Sequence, residues 1–301
     1  MDGRITYTQW LGPDGGVDAD VTVTRLAADD LLVVASDTAY GPVSGLLRRG
    51  MGDADARVQD VTEDLALLSL QGPASRPVLA DLAPEVDWSD GALPFRSARR
   101  VRLAGADVLA VRVTYVGEPG WELYVPAADA EAVWDAVLAA GEGHGVRPAG
   151  LAALGSLRLE KGYRDHGHDL DNTDDVWAAG LGFAVDLDKT GFVGRDAVLA
   201  AREAGPPRHR VVSVVLGDPE PLLFHGEVLL RDGVAVGDVR SGSYGWTVGA
   251  AVGLAGVEHG DGVTASWLAS GTWEVDVAGR RYPARVSLRP PYDPTSTRVR
   301  G

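Results

Sequence analysis

The sequence predicts an α+β protein: a body of sheets and helices over residues 1–205, followed by a small closed β structure over residues 208–301. Three observations carry this expectation. Hydrophobic alternation of period two dominates the start, helical spacing of apolar residues is confined to the middle, and only strand-like pieces follow Gly205-Pro206-Pro207.

Taking the elements in order, Val21-Thr22-Val23-Thr24-Arg25-Leu26 alternates and Leu31-Leu32-Val33-Val34-Ala35 is a short apolar run, with Asp29-Asp30 between them. This predicts an antiparallel hairpin. Gly12-Pro13-Asp14-Gly15-Gly16 ahead of it is dense in turn formers. Residues 66–70, 108–115 and 121–125 are further strands, and Gly117-Glu118-Pro119-Gly120 connects the last two tightly.

The period then changes. Ala130, Val133, Trp134, Val137 and Leu138 form the stripe of an amphipathic helix over residues 129–140, with Asp129 placed to cap it. A second helix is expected over 151–161, with Leu151, Leu154, Leu157 and Arg158 on one face, and a third over 194–203. Past the Gly-Pro-Pro boundary, strands are expected at 211–216, 227–230, 234–239, 262–267, 272–277 and 282–288.

Composition narrows the function. The 301 residues carry a formal charge of −15 and no cysteine, which excludes disulfides, thiolate nucleophiles and cysteine-ligated metal centres. That charge repels phosphate backbones, so nucleic acid is not an expected partner. Apolar runs stop far short of the roughly 20 residues a membrane span needs. With no leader-like start, the expected compartment is the cytoplasm.

Local motifs offer little on their own. Asp165-His166-Gly167-His168-Asp169 packs two imidazoles and two carboxylates together, yet a metal needs three or four convergent ligands, so a polar loop is expected and no metal. The phosphate-binding glycine loop is absent, and Ser241-Gly242-Ser243-Tyr244-Gly245 does not fit a nucleophile elbow. Glu122, set between Trp121 and Leu123, and Arg158 and Glu160, set in an apolar helix, are charges that need partners. Two readings stand: a buried ion pair tying helix to sheet, or a pocket for a planar polar ligand. Asp20 likewise either caps a turn or serves a site.

Six ordered blocks resemble one family. They are Tyr7-Thr8-Gln9-Trp10-Leu11, Gly15-Gly16-Val17-Asp18-Ala19-Asp20-Val21-Thr22-Val23, Tyr115-Val116-Gly117-Glu118-Pro119-Gly120-Trp121-Glu122-Leu123, Ser156-Leu157-Arg158-Leu159-Glu160-Lys161-Gly162-Tyr163-Arg164, Ala179-Gly180-Leu181-Gly182-Phe183 and Ser241-Gly242-Ser243-Tyr244-Gly245. Together they resemble the glycine-cleavage T-protein (aminomethyltransferase) family across essentially the whole chain. Leu154, where glycine-cleavage T-proteins usually carry arginine, and the wording of residues 159–164 bring it nearest to the folate-binding C-terminal region of dimethylglycine and sarcosine dehydrogenases.

The resemblance implies a T-protein-like body of antiparallel sheets with helices, a C-terminal β-barrel, and tetrahydrofolate as cofactor. It implies that Glu122 accepts hydrogen bonds from the pterin, that Tyr115, Tyr163 and Tyr7 line the folate site, and that Asp20 is the catalytic carboxylate near the reactive nitrogens. Arg158 is counted with the cofactor-binding residues, acting with Glu160 from behind the site. The implied reaction forms 5,10-methylene-tetrahydrofolate from an oxidised N-methyl amine derived from dimethylglycine or sarcosine.

One departure bears on this. The family segment that normally precedes Tyr7 is missing, and so is a flavin-binding fingerprint. Either a separate flavoprotein subunit supplies the oxidised substrate, or the reading frame is cut short, or the protein is a remnant; lost strands expose a sheet edge, so the missing part is expected to come from a partner or the chain to be poorly soluble alone. Two alternatives stay open: an O- or S-demethylase that uses folate, and a non-catalytic folate-binding or assembly subunit of a flavoprotein dehydrogenase.

Overall fold

The fold was analysed in a computed structural model that describes residues 2–300. It is an α+β architecture of two antiparallel sheets with helices, followed by a closed six-stranded barrel. Among the described residues, no helix is long and apolar enough to cross a membrane.

The first sheet is a meander. Strands β1 (Ile5–Leu11) and β2 (Val17–Arg25) pair around the glycine-rich turn, and β3 (Leu31–Val34) joins the other edge of β2. Gly16 is required in that turn, because a Cβ would sit 2.1 Å from the Asn172 carbonyl oxygen. Alternation along β2 buries Ala19 and Val21 against Ala39 and Val43, and turns Asp20, Thr22 and Thr24 to the opposite face. Val43 belongs to helix α1 (Tyr40–Met51), which sequence periodicity does not announce. Gly41, Pro42, Gly45 and Gly50 dilute its apolar stripe and its intrinsic propensity, so burial against the sheet decides it.

The second sheet is built from β4 (Leu65–Gln71), β5 (Ala98–Leu103), β6 (Ala106–Val111) and β7 (Gly120–Pro126), in the order β4-β7-β6-β5. Trp121, Leu123 and Val125 point into a core closed by helices α2 (Ser75–Leu82) and α3 (Ala130–Gly141). Strand β6 ends at Val111, so Tyr115 lies in the connection to β7 and not in the strand expected over 108–115. In α3, Val133 and Val137 are buried but Trp134 is exposed, and Asp129 makes no side-chain cap. A 3-10 turn over Ala127–Asp129 leads into the helix instead.

Helices α4 (Leu151–Glu160) and α5 (Arg195–Glu203) precede the barrel. The leucine face expected for α4 is overturned: Leu151 is 85% exposed, whereas Ser156, Arg158, Leu159 and Glu160 are buried. The charges go inside because each finds a partner there. Glu160 Oε1 accepts from the backbone N–H groups of Thr247 (2.7 Å) and Val248 (2.8 Å). Glu160 therefore makes no ion pair tying helix to sheet; it latches α4 onto a barrel turn.

The barrel closes as β10-β11-β8-β13-β12-β9, from β8 (His209–Leu216), β9 (Val228–Arg231), β10 (Val234–Gly245), β11 (Ala250–Glu258), β12 (Trp273–Val277) and β13 (Arg280–Ser287). Closure removes the free edges that six short strands would otherwise expose. The strand expected over 262–267 is instead helix α6 (Ala265–Ser270), started by Thr264, whose hydroxyl accepts from the Trp267 N–H at 3.1 Å. Strand β11 has no alternation to read, because it is buried on both faces from Ala250 to Val257.

Candidate functional site

Asp20 sits in the middle of β2, not at a turn, which removes the turn-capping reading. Its register partner Gln9 donates to Oδ1 at 2.8 Å, and the Tyr7 hydroxyl donates to Oδ2 at 2.9 Å. Burial pushes the Asp20 carboxyl upward, the Gln9 and Tyr7 bonds pull it back, and the net shift is up. The Tyr7 phenol is driven well above its ordinary range, first by burial and then by the Asp20 carboxylate. Asp20 is thus a held carboxylate that takes a proton more readily than one in water.

Tyr115 and Tyr163 come together from separate loops. Their rings stack with centroids 6.0 Å apart and planes 8° from parallel. The Tyr115 hydroxyl donates to the Arg164 carbonyl oxygen at 2.9 Å, pinning the two loops to each other. Burial pushes Tyr163 up to about 12 and also raises Tyr115, whose field includes the Asp20 carboxylate. Arg158 stands behind this pair: its Nη1 pairs with the buried Asp169 and donates to the Tyr163 carbonyl oxygen at 3.2 Å. Its contacts within the chain are those of a positioning residue.

Glu122 is on β7, opposite Ser69 of β4 and Val111 of β6. Tyr124, two residues along the same face, donates to Glu122 Oε2 at 2.8 Å. Burial raises the carboxyl and the Tyr124 bond opposes that rise, leaving a net upward shift. Glu122 does not touch the Asp20 group. The two are related through the sheets that carry them: Ile5 of β1 and Leu32 and Val34 of β3 pack with Leu109, Val111 and Tyr124. In the hairpin register Ile5 and Gln9 share a face with Asp20, and Tyr124 shares a face with Glu122, so both carboxylates lie on sheet faces that meet.

Sequence reasoning passed over Gln9, Tyr124, Lys161 and Asp293. The first two were within reach, since Gln9 faces Asp20 across a short hairpin and Tyr124 follows Glu122 at the strand period. Lys161 and Asp293 were not. Lys161 Nζ pairs with Asp293 Oδ2 at 2.9 Å across 132 positions, with side chains only 2% and 4% exposed. The histidine-rich loop uses His166 Nε2 on the Val17 carbonyl oxygen at 2.9 Å and Asp169 on Arg158.

Residues 1–189 match the family model described as the GCVT N-terminal domain, and residues 209–293 match the glycine cleavage T-protein C-terminal barrel domain. The chain is 42% identical over 299 residues to 4-methylaminobutanoate oxidase (formaldehyde-forming) of Paenarthrobacter nicotinovorans, covering 99% of this chain and 35% of that protein. It is 37% identical to the mitochondrial sarcosine dehydrogenase of Mus musculus, over 99% of this chain and 34% of the relative. The chain thus spans about a third of the length of these two relatives. It is 36% identical to the aminomethyltransferase of Saccharopolyspora erythraea, over 96% of this chain and 77% of the relative. The crystal structure of the glycine cleavage system aminomethyltransferase T from Bartonella henselae superposes with a TM-score of 0.82 at 26% identity, covering 95% of this chain and 75% of that one. Matched in both its parts and over nearly its whole length, the chain belongs to the glycine-cleavage T-protein family.

Proposed function

We propose that this chain binds tetrahydrofolate between its two sheets and transfers a one-carbon unit to it from an oxidised N-methyl amine. The observation that carries the reading is the meeting of the Asp20 face of the first sheet with the Glu122 face of the second. The donor set suits a reduced pteridine. Glu122 spends one oxygen on Tyr124 and keeps Oε1 for the adjacent N–H donors of a pterin edge. Parallel rings at Tyr115 and Tyr163 supply flat apolar surface with polar tips.

When bound, tetrahydrofolate supplies the N5 and N10 nitrogens between which the transferred carbon ends up as a methylene. Asp20 does the work that falls to the protein. Its carboxylate would stabilise positive charge on the donor's iminium carbon and would take a proton from tetrahydrofolate for delivery to the departing amine, and its raised affinity for protons suits that task. Tyr7 and Gln9 hold it in place, and Arg158 acts through Tyr163. An N-methyl amine donor is supported by the names of two relatives, a 4-methylaminobutanoate oxidase and a sarcosine dehydrogenase. A flavoprotein that oxidises the amine, on a separate chain or on the same one, is the partner this reading requires.

The test is a titration of the full chain with tetrahydrofolate, repeated with Asp20→Asn and Glu122→Gln. Asp20→Asn should retain most affinity and lose turnover of an iminium donor, whereas Glu122→Gln should lose affinity. A folded chain with no affinity for tetrahydrofolate defeats the proposal. Binding without turnover in the wild type would leave a folate-binding subunit as the better reading.

A further inference from the structure

Asp20 follows closely on a bulge. In the pairing of β2 with β1, Val17 faces Leu11 and Ala19 faces Trp10, so Asp18 is an extra residue on β2. A bulge interrupts the ladder and re-aims the side chains beside it, which makes the hold on the strand at that point decisive for where Asp20 looks.

Segment 165–175 supplies that hold. The Val17 N–H donates to the Asp174 carbonyl oxygen at 3.0 Å, and the Val17 carbonyl oxygen accepts from His166 Nε2 at 2.9 Å. Gly16 adds an antiparallel bridge to Asp175. The loop that carries His166 is itself braced, because the Asp165 N–H donates to Asp169 Oδ2 at 2.8 Å and the Gly167 N–H donates to the Leu170 carbonyl oxygen at 2.8 Å. Of the bonds from this segment to β2, that of His166 is the one made by a side chain, and by a side chain that can change its charge.

The chemistry of the bond separates anchor from charge. A carbonyl oxygen only accepts, so Nε2 carries a hydrogen in the neutral and the charged ring alike. The proton that charges the ring therefore enters at Nδ1, and the anchor survives it. Burial is the largest influence on the Asp20 carboxyl and the Gln9 and Tyr7 bonds come next; among charges, His166 holds the carboxyl down and Asp165 pushes it up. The other titratable groups turned to this place are Tyr7 of β1, which feels Arg164, Tyr115 of the connection before β7, and His168, whose Nδ1 lies 3.3 Å from Asp165.

We propose that His166 is a positioning residue for Asp20, anchoring β2 at its bulge through the Val17 carbonyl and giving the site an imidazole that gains or loses charge without releasing the anchor. Its bearing on turnover rests on the function proposed above, where Asp20 handles the proton.

The test uses the full chain without ligand and two variants. His166→Gln keeps an N–H donor for Val17 and cannot be charged, whereas His166→Leu loses both. Followed by NMR of its carboxyl carbon, Asp20 should titrate about half a unit higher in His166→Gln than in the wild type. Hydrogen exchange of the β2 amides after the bulge should be unchanged in His166→Gln and about tenfold faster in His166→Leu, the worth of one hydrogen bond. With tetrahydrofolate and an iminium donor, the acid limb of kcat/KM should move to higher pH in His166→Gln at an unchanged plateau. A wild type without affinity for tetrahydrofolate defeats the proposed function and leaves titration and exchange to judge His166. If His166→Leu does not fold while His166→Gln does, the anchor is supported and the Asp20 titration decides the rest. An Asp20 titration that ignores His166→Gln, or exchange that is equal in the two variants, overturns the assignment.

Discussion

Lys161 and Asp293 form a buried ion pair between the end of α4 and the C-terminal segment, 2.9 Å from Nζ to Oδ2. Nζ also donates to the Asp293 carbonyl oxygen at 2.5 Å. The same segment also reaches the body where the Tyr292 hydroxyl donates to Glu118, the Tyr292 N–H donates to the Glu160 carbonyl oxygen at 2.9 Å and Arg112 donates to the Arg300 carbonyl oxygen at 3.2 Å. The C-terminal segment thereby straps the barrel to the loops that carry Tyr115 and Tyr163.

Asp293→Asn should destabilise the chain by about 3 kcal/mol, since it leaves the Lys161 ammonium buried without its counter-charge. Burial alone would raise the Asp293 carboxyl, but the bonds from Lys161 and Thr297 outweigh it and hold the group below its usual range. Its contribution is complete above the unfolded value of about 3.9 and is lost as pH falls through the lower folded value. Urea unfolding from pH 2.5 to 6 should show the gap between wild type and variant closing only at the acid end.

Glu160→Ala should cost about 3 kcal/mol, because it strands two N–H groups of the β10–β11 turn and opens a void. Glu160→Gln keeps an acceptor oxygen and should cost about 1 kcal/mol. Calorimetric melting of the two variants separates the latch from a generic charge effect; equal losses would refute it.

Tyr7→Phe removes a bond that holds the Asp20 carboxyl down while burial continues to push it up. Under the proposed function Asp20 works ionised, so activity falls as pH drops through its folded value. The acid limb of kcat/KM should therefore move to higher pH in Tyr7→Phe. An unmoved limb would detach Asp20 from the proton transfer.

Tyr124→Phe removes the only hydrogen bond that orients Glu122 among the described residues. Affinity for tetrahydrofolate should weaken about tenfold, with kcat little changed at saturation. Fluorescence quenching of the chain by the folate measures the first, and steady-state kinetics the second.

Much of the candidate site was legible as a resemblance in the chain as written. Asp20, Tyr115, Glu122 and Tyr163 stand in blocks whose order and wording resemble the family, and the closed β end follows from short strands punctuated by Gly and Asp. Helix α1 could not be read, because its glycines hide the stripe, and α6 passed for a strand because six residues are too few to show a period. The buried charges of α4 were legible as charges but not as partnerships. Arg158 found Asp169 eleven positions on, whereas Glu160 found backbone amides 87 and 88 positions away.

What the sequence determined by itself was the class of the fold, the order of its modules and the identity of the polar groups that need partners. Those depend on side-chain alternation and turn chemistry, which act over a few residues. Which sheet face meets which, and so whether the faces carrying Asp20 and Glu122 come together, was decided only in three dimensions. The same holds for the Lys161–Asp293 strap and for the Glu160 latch onto the β10–β11 turn. Each joins segments far apart in the chain, and what selects them is the cost of leaving a buried charge or an apolar face uncovered, a quantity that no local pattern encodes.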